Sequence, residues 1–165
     1  MLFRSGNIVG GCEGDATHGT PPAQGPGAHR MSIVDPSAGR ELAAVPTGRG
    51  PIWPTIDPVR HVVYMAASGA GTVVTHDPVS GATLSTITVG GLPHAGGLDY
   101  SSGLMVVGNT VRASSNVAEQ NHVSVIDTRA GRVVREIVTS PAPHGIVVDQ
   151  DRHLIYYTAV GDGAL

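Results

Sequence analysis

Three copies of one residue spacing constrain this chain more than any other feature. Asp35, Asp77 and Asp127 are each followed four positions on by Gly39, Gly81 and Gly131. Pro51, Pro93 and Pro143 come sixteen positions on, and Asp57, Asp99 and Asp149 twenty-two on. A fixed period of this size marks one supersecondary unit copied side by side, because a single unit cannot bury its own apolar face. The period is 42 residues from Asp35 to Asp77 and 50 from Asp77 to Asp127.

The unit from 93 to 140 splits at its turn residues into PHAGGLDY, GLMVVGNT, NHVSVIDT and RVVREIVTS. Each run is strand-sized and rich in Val, Ile, Thr and Leu, with alternating or continuous apolar character. Between the third and fourth runs, Asp127 can bond the backbone ahead of it and Gly131 can take positive φ, which closes a hairpin. The unit before it reads PIWPTIDP, HVVYMAAS, GTVVTHDP and ATLSTITVG at matching offsets. PHGIVVDQ and HLIYYTAV open a further unit, and residues from Asn7 to Gly11, HRMSIVDP and RELAAVPTG supply the second to fourth strands of an earlier one.

Composition agrees with many short strands joined by tight turns. The 165 residues include 23 Gly and 12 Pro, and only 14% are charged, so long amphipathic helices are disfavoured. A net charge of -3 supplies no basic face for nucleic acid. Cys12 is the only cysteine, which excludes an intrachain disulfide. No apolar run reaches the length of a membrane span, and MLFRSGNIVGG lacks the apolar stretch of a secretory signal.

Four antiparallel strands per repeat of this length predict an all-β fold, a β-propeller segment of three to four four-stranded blades. We expect one partial propeller over 1–165, with a blade part at 7–48, blades at 51–90 and 93–140, and a blade part at 143–165. Propellers close their rings at about 4 to 8 blades. An open arc is therefore expected to need missing blades or self-association to cover its ends.

The runs VSVIDTRAGRVVREI and PHGIVVDQDRHLIYYTA resemble the YVTN-type β-propeller repeat of bacterial surface-layer and periplasmic proteins. The resemblance covers the chain from Met31 onward. It implies an extracytoplasmic location, periplasmic or secreted, and leaves function open, since this fold hosts binding proteins, lactone hydrolases, lyases and haem enzymes.

Chemistry is expected on one rim. The longer period arises from RASSNVAEQ, between the second and third strands, and CEGDATHGTPPAQGPG occupies the same joint of the first unit. In a propeller these loops share a face with the Pro steps Pro51-Ile52-Trp53, Pro93-His94 and Pro143-His144, which open the innermost strands. Trp53, His94 and His144 are the candidate ligand-binding residues. A residue that recurs with the period commonly serves the repeat, with Pro fixing the entry turn and the imidazole capping backbone groups. The functional alternative is a set of imidazoles around the channel mouth that holds a metal ion, an anion or a cofactor edge. His94, His144 and His18 are the candidate metal ligands, with Glu13 and Asp15 near His18; the third Pro step offers Ile52 in place of histidine.

His61 and His153 fall in the turn between first and second strands on the opposite face, where Asp57, Asp99 and Asp149 recur as turn formers. His29, His76 and His122 belong to third strands. Trp53 reads as a wedge between blades, because large aromatics usually bury area. No nucleophile elbow, P-loop or dinucleotide fingerprint occurs, and no C-x-x-C-H haem motif. The residues thus predict a noncatalytic binding or scaffold module whose rim takes a small ligand or a protein. The competing expectation is a metal-assisted lyase or lactonase using rim histidines. No cofactor and no catalytic residue is assigned from the sequence.

Overall fold

A computed structural model describes residues 8–12, 29–110, 122–141 and 143–159. Thirteen strands run through these residues: β1 (Ile8–Cys12), β2 (Arg30–Asp35), β3 (Arg40–Pro46), β4 (Pro51–Asp57), β5 (Val62–Ala67), β6 (Thr72–His76), β7 (Thr83–Thr88), β8 (Leu92–Asp99), β9 (Leu104–Thr110), β10 (His122–Asp127), β11 (Arg132–Val138), β12 (Pro143–Asp149) and β13 (Leu154–Ala159). One 3-10 turn, Ser68–Ala70, joins β5 to β6. The strands form four antiparallel meanders: β1-β2-β3, β4-β5-β6-β7, β8-β9-β10-β11 and β12-β13. The two complete repeats each give one four-stranded sheet, as the offsets predict.

The sheets face one another along the chain, with β4 against β8 and β8 against β12. Side chains alternate across each strand, so each of the two four-stranded sheets offers one face to the sheet before it and one to the sheet after. Met31 and Ile33 of the first sheet pack with Val63 and Met65 of the second. A larger layer joins Tyr64, Val73, Ile87 and Val89 to Leu98, Met105, Val107 and Ile126 of the third.

The first and last hairpins of each four-stranded sheet turn on an aspartate. Asp77 Oδ1 accepts from the amides of Val79 (3.0 Å) and Ser80 (2.7 Å), and Asp127 Oδ1 accepts from those of Arg129 (2.8 Å) and Ala130 (3.0 Å). Gly39, Gly81 and Gly131 close these outer turns at φ of 63°, 73° and 63°, a region that glycine enters without a Cβ clash. In the inner turns the equivalent left-handed position holds His61 (φ 57°), Gly103 and His153 (φ 57°). Histidine is among the side chains that tolerate this region, which explains its recurrence there.

The first three sheets also carry a bulge next to the outer turn. Val34 pairs with Glu41 while Ile33 pairs with Ala43, so Leu42 is extra. Leu84 and Val134 are extra at the same phase of β7 and β11.

Candidate functional site

A second set of bulges shapes the rim at which the inner strands begin. On β4, Pro51 pairs with Ala67 and Trp53 with Ala66, which leaves Ile52 extra. On β8, Pro93 pairs with Asn109 and Gly96 with Val107, so His94 and Ala95 oppose Gly108 alone. On β12, Pro143 pairs with Ala159 and Ile146 with Tyr157, so His144 and Gly145 oppose Thr158 alone. Proline cannot donate to the ladder, and an inserted residue bends the strand and re-aims the side chain beside it. In β12 the hydroxyl of Thr158 accepts from the Gly145 amide at 3.0 Å, which satisfies a group that the bulge removes from the ladder.

The bulges bring His94 and His144 together. Their ring centroids lie 4.3 Å apart with the planes tilted by 37°. His144 is exposed and His94 half-buried. Residues at one phase of adjacent repeats become neighbours where the repeats converge, and the inner strands are in contact there. Ile52 holds the third equivalent position and brings no ligating atom.

Trp53 is 40% exposed, which corrects the expectation of a buried wedge. The register shift after Pro51 sets Trp53 directly beyond an extra residue of β4, where the strand leaves its regular pairing. His18, Glu13, Asp15 and the RASSNVAEQ insert lie outside the described residues. Among the described residues no three His, Cys, Asp or Glu side chains converge as a metal-holding group. No helix there is long and apolar enough to cross a membrane.

Beside the His94 bulge lies a polar chain that the repeat pattern did not announce. Asn109, cross-strand from Pro93 and from His122, is fully buried. Its Nδ2 donates to Ser124 Oγ at 2.7 Å, while Oδ1 has no partner. Ser124 has one proton to place among Glu136 Oε1 (2.9 Å), Glu136 Oε2 (3.0 Å) and the Val89 carbonyl (3.2 Å). His122 Nε2 approaches Glu136 at 3.5 Å. The available signal was polar residues at core-facing phase, Asn109 in LMVVGNT and Ser124 in HVSVID. Ser124 is fully buried, so this chain reads as a polar tie between the second and third sheets.

The remaining histidines take structural places. His29 Nδ1 accepts from the Gly50 amide at 3.2 Å. His76 is fully buried, with Nδ1 against the Gly81 carbonyl at 3.1 Å and Nε2 without a partner. Burial disfavours its charged form and lowers its pKa, while the Gly81 bond opposes this.

The opposite rim stitches one sheet to the next. Arg60 pairs with Asp57 at 3.3 Å and donates to Thr128 Oγ1, whose hydroxyl donates to the Gly103 carbonyl at 2.7 Å. Gln150 donates to the Leu98 carbonyl (2.8 Å) and accepts from the Tyr100 amide (3.0 Å), and His153 Nδ1 lies 3.1 Å from Asp99 Oδ2.

These turns hold several carboxyls below the ordinary range. The Ser102 hydroxyl, first, and then Ser101 bring Asp99 from 3.8 to about 2 against the opposing effect of burial. Asp35, Asp77, Asp127 and Asp149 shift the same way, led by the Ser37 hydroxyl, the Ser80 amide, the Ala130 amide and the Arg152 side chain respectively. A depressed folded value means that the unfolded chain binds more protons as pH falls through this window. The stabilisation is complete above about pH 4 and is lost toward about pH 2. The urea midpoint is therefore expected to drop steeply between these limits, and less steeply in Asp99→Asn. An equal drop in both proteins would contradict the assignment to Asp99.

Antiparallel four-stranded meanders, set face to face with their first strands in contact, define a protein of the β-propeller type. No family model and no curated protein matches the sequence. Among solved structures, the chain is similar to hydrazine synthase of Kuenenia stuttgartiensis, with a TM-score of 0.70 at 20% identity. The match covers 81% of this chain and 37% of that one, so the chain spans little more than a third of its neighbour's length. At this identity the likeness is one of fold.

Proposed function

We propose that the chain is a noncatalytic β-propeller module of the YVTN-repeat kind, extracytoplasmic, whose ligand engages the rim at Trp53, His94 and His144. One observation carries this reading: a bulge recurs at every Pro step and brings two imidazoles from different sheets to 4.3 Å. Repeat architecture requires the Pro and the bulge, but it does not require the side chain beside them to be polar. Ile52 fills the same phase in β4. The exposed indole of Trp53 adds an aromatic surface on the neighbouring inner strand. A lyase or lactonase mechanism would need about three protein ligands on its metal. Of the candidate ligands, His94 and His144 lie together, while His18, Glu13 and Asp15 fall outside the described residues.

Histidine-ring and indole NMR resonances, followed through a panel of small molecules and short peptides, test the reading. A true ligand is expected to move His94, His144 and Trp53 together and to bind about tenfold more weakly to His144→Ala. Ligands that move only His61 and His153, on the opposite rim, would sink it.

A further inference from the structure

We infer that His94 and His144 together bind one divalent transition-metal ion of the zinc, copper or nickel type, linking the third and fourth sheets. This deepens the rim reading above and rests on it. Imidazole is the commonest metal-ligating side chain and suits these ions over magnesium or calcium.

Geometry supplies the first argument. Metal–imidazole bonds of about 2 Å place the two ligating nitrogens of one site about 3 Å apart. Rings with centroids 4.3 Å apart are near enough to meet that spacing by side-chain rotation, with both backbones held by paired, bulged strands. The two residues are fifty positions apart in sequence, so the pairing is a product of the fold and not of a local turn.

The charge of the inner strands favours a cation over an anion, with the Arg49 side chain lying outside them against Gly69. β4, β8 and β12 contain no Lys or Arg, and their only ionisable groups besides the two histidines are Asp57, Asp99 and Asp149 at the far end. An anion site normally gathers guanidinium or ammonium groups or a helix N-terminus, and these strands provide neither. A metal ion needs only the imidazole lone pairs. Two protein ligands leave its remaining positions to water or to an incoming ligand, unlike the closed four-ligand sphere of a structural zinc site.

Calorimetric titration of the full chain with Zn²⁺, Ni²⁺ and Cu²⁺, with Mg²⁺ as control, tests the proposal. One equivalent of each transition metal is expected to bind, with no heat from Mg²⁺. His94→Gln and His144→Gln should each weaken binding about tenfold or more, while His61→Ala and His153→Gly leave it unchanged. Circular dichroism checks that each variant is folded. The exposed position of His144 makes that variant the safer of the two. Electron paramagnetic resonance of the Cu²⁺ complex should count two imidazole nitrogens in the parent and one in His144→Gln. Binding unchanged in both glutamine variants, or equal binding of Mg²⁺, would overturn the metal assignment. If no metal binds while panel ligands still move His94 and His144, the metal assignment falls and the rim reading stands. If the metal binds through both rings and no panel ligand does, the metal assignment stands and the organic-ligand reading falls.

Discussion

Gly81→Ala is expected to destabilise the protein by about 3 kcal/mol, against about 1 kcal/mol for Gly131→Ala, although both glycines close equivalent turns of adjacent sheets. The two share the left-handed backbone, with φ of 73° and 63°. An alanine there costs about 1 to 2 kcal/mol in conformation, offset in part by a stiffer unfolded chain. The difference lies in what a Cβ would meet. At Gly131 nothing lies within 4 Å, whereas at Gly81 the new atom overlaps the Val45 side chain of β3 in the preceding sheet. Val45 is β-branched and packed against the Met31 layer, so it has little freedom to turn away. Overpacking of this kind adds about 1 to 3 kcal/mol. Urea unfolding of the two variants in parallel measures the difference; equal losses would mean that the sheets do not press together at this turn.

Ile126→Ala should cost about 3 to 4 kcal/mol. Ile126 is fully buried and belongs to the layer in which Tyr64, Val73, Ile87 and Val89 meet Leu98, Met105 and Val107. It pairs with Met105 on one side and Val133 on the other, so the surrounding backbone is held by hydrogen bonds and can collapse only partly into the cavity. Val138, at the end of the outer strand, is 87% exposed, and Val138→Ala should stay within about 0.5 kcal/mol of the parent. Chemical denaturation followed by Trp53 fluorescence and by far-ultraviolet dichroism would give both values. An Ile126→Ala loss below about 1 kcal/mol would contradict the placement of this layer between two sheets.

Much of the fold was legible because strand and turn chemistry are local. Val- and Ile-rich runs, bounded by Asp and Gly at constant offsets, define strand-sized pieces. Repetition of the offsets then forces the pieces to stack, since each unit leaves an apolar face uncovered. The meeting of His94 and His144 was legible for the same reason. Equal phase in adjacent repeats becomes adjacency in space wherever the repeats converge.

Register and packing were not legible. An extra residue in a strand reverses the in-out alternation of the residues after it, and nothing in Pro51-Ile52-Trp53 announces it. Trp53 therefore reads as a core aromatic in sequence and is partly exposed in the fold. The chain from Asn109 through Ser124 to Glu136 depends on which residues face each other across three strands. Gly81 and Gly131 are indistinguishable by motif and differ only in the sheet that lies opposite. The sequence by itself determined the all-β repeat, its turns and the phase of its histidines, because those follow from backbone preferences and period. Only the tertiary structure decided which bulges re-aim side chains and which turns are crowded, because both depend on contacts between sheets that no local pattern encodes.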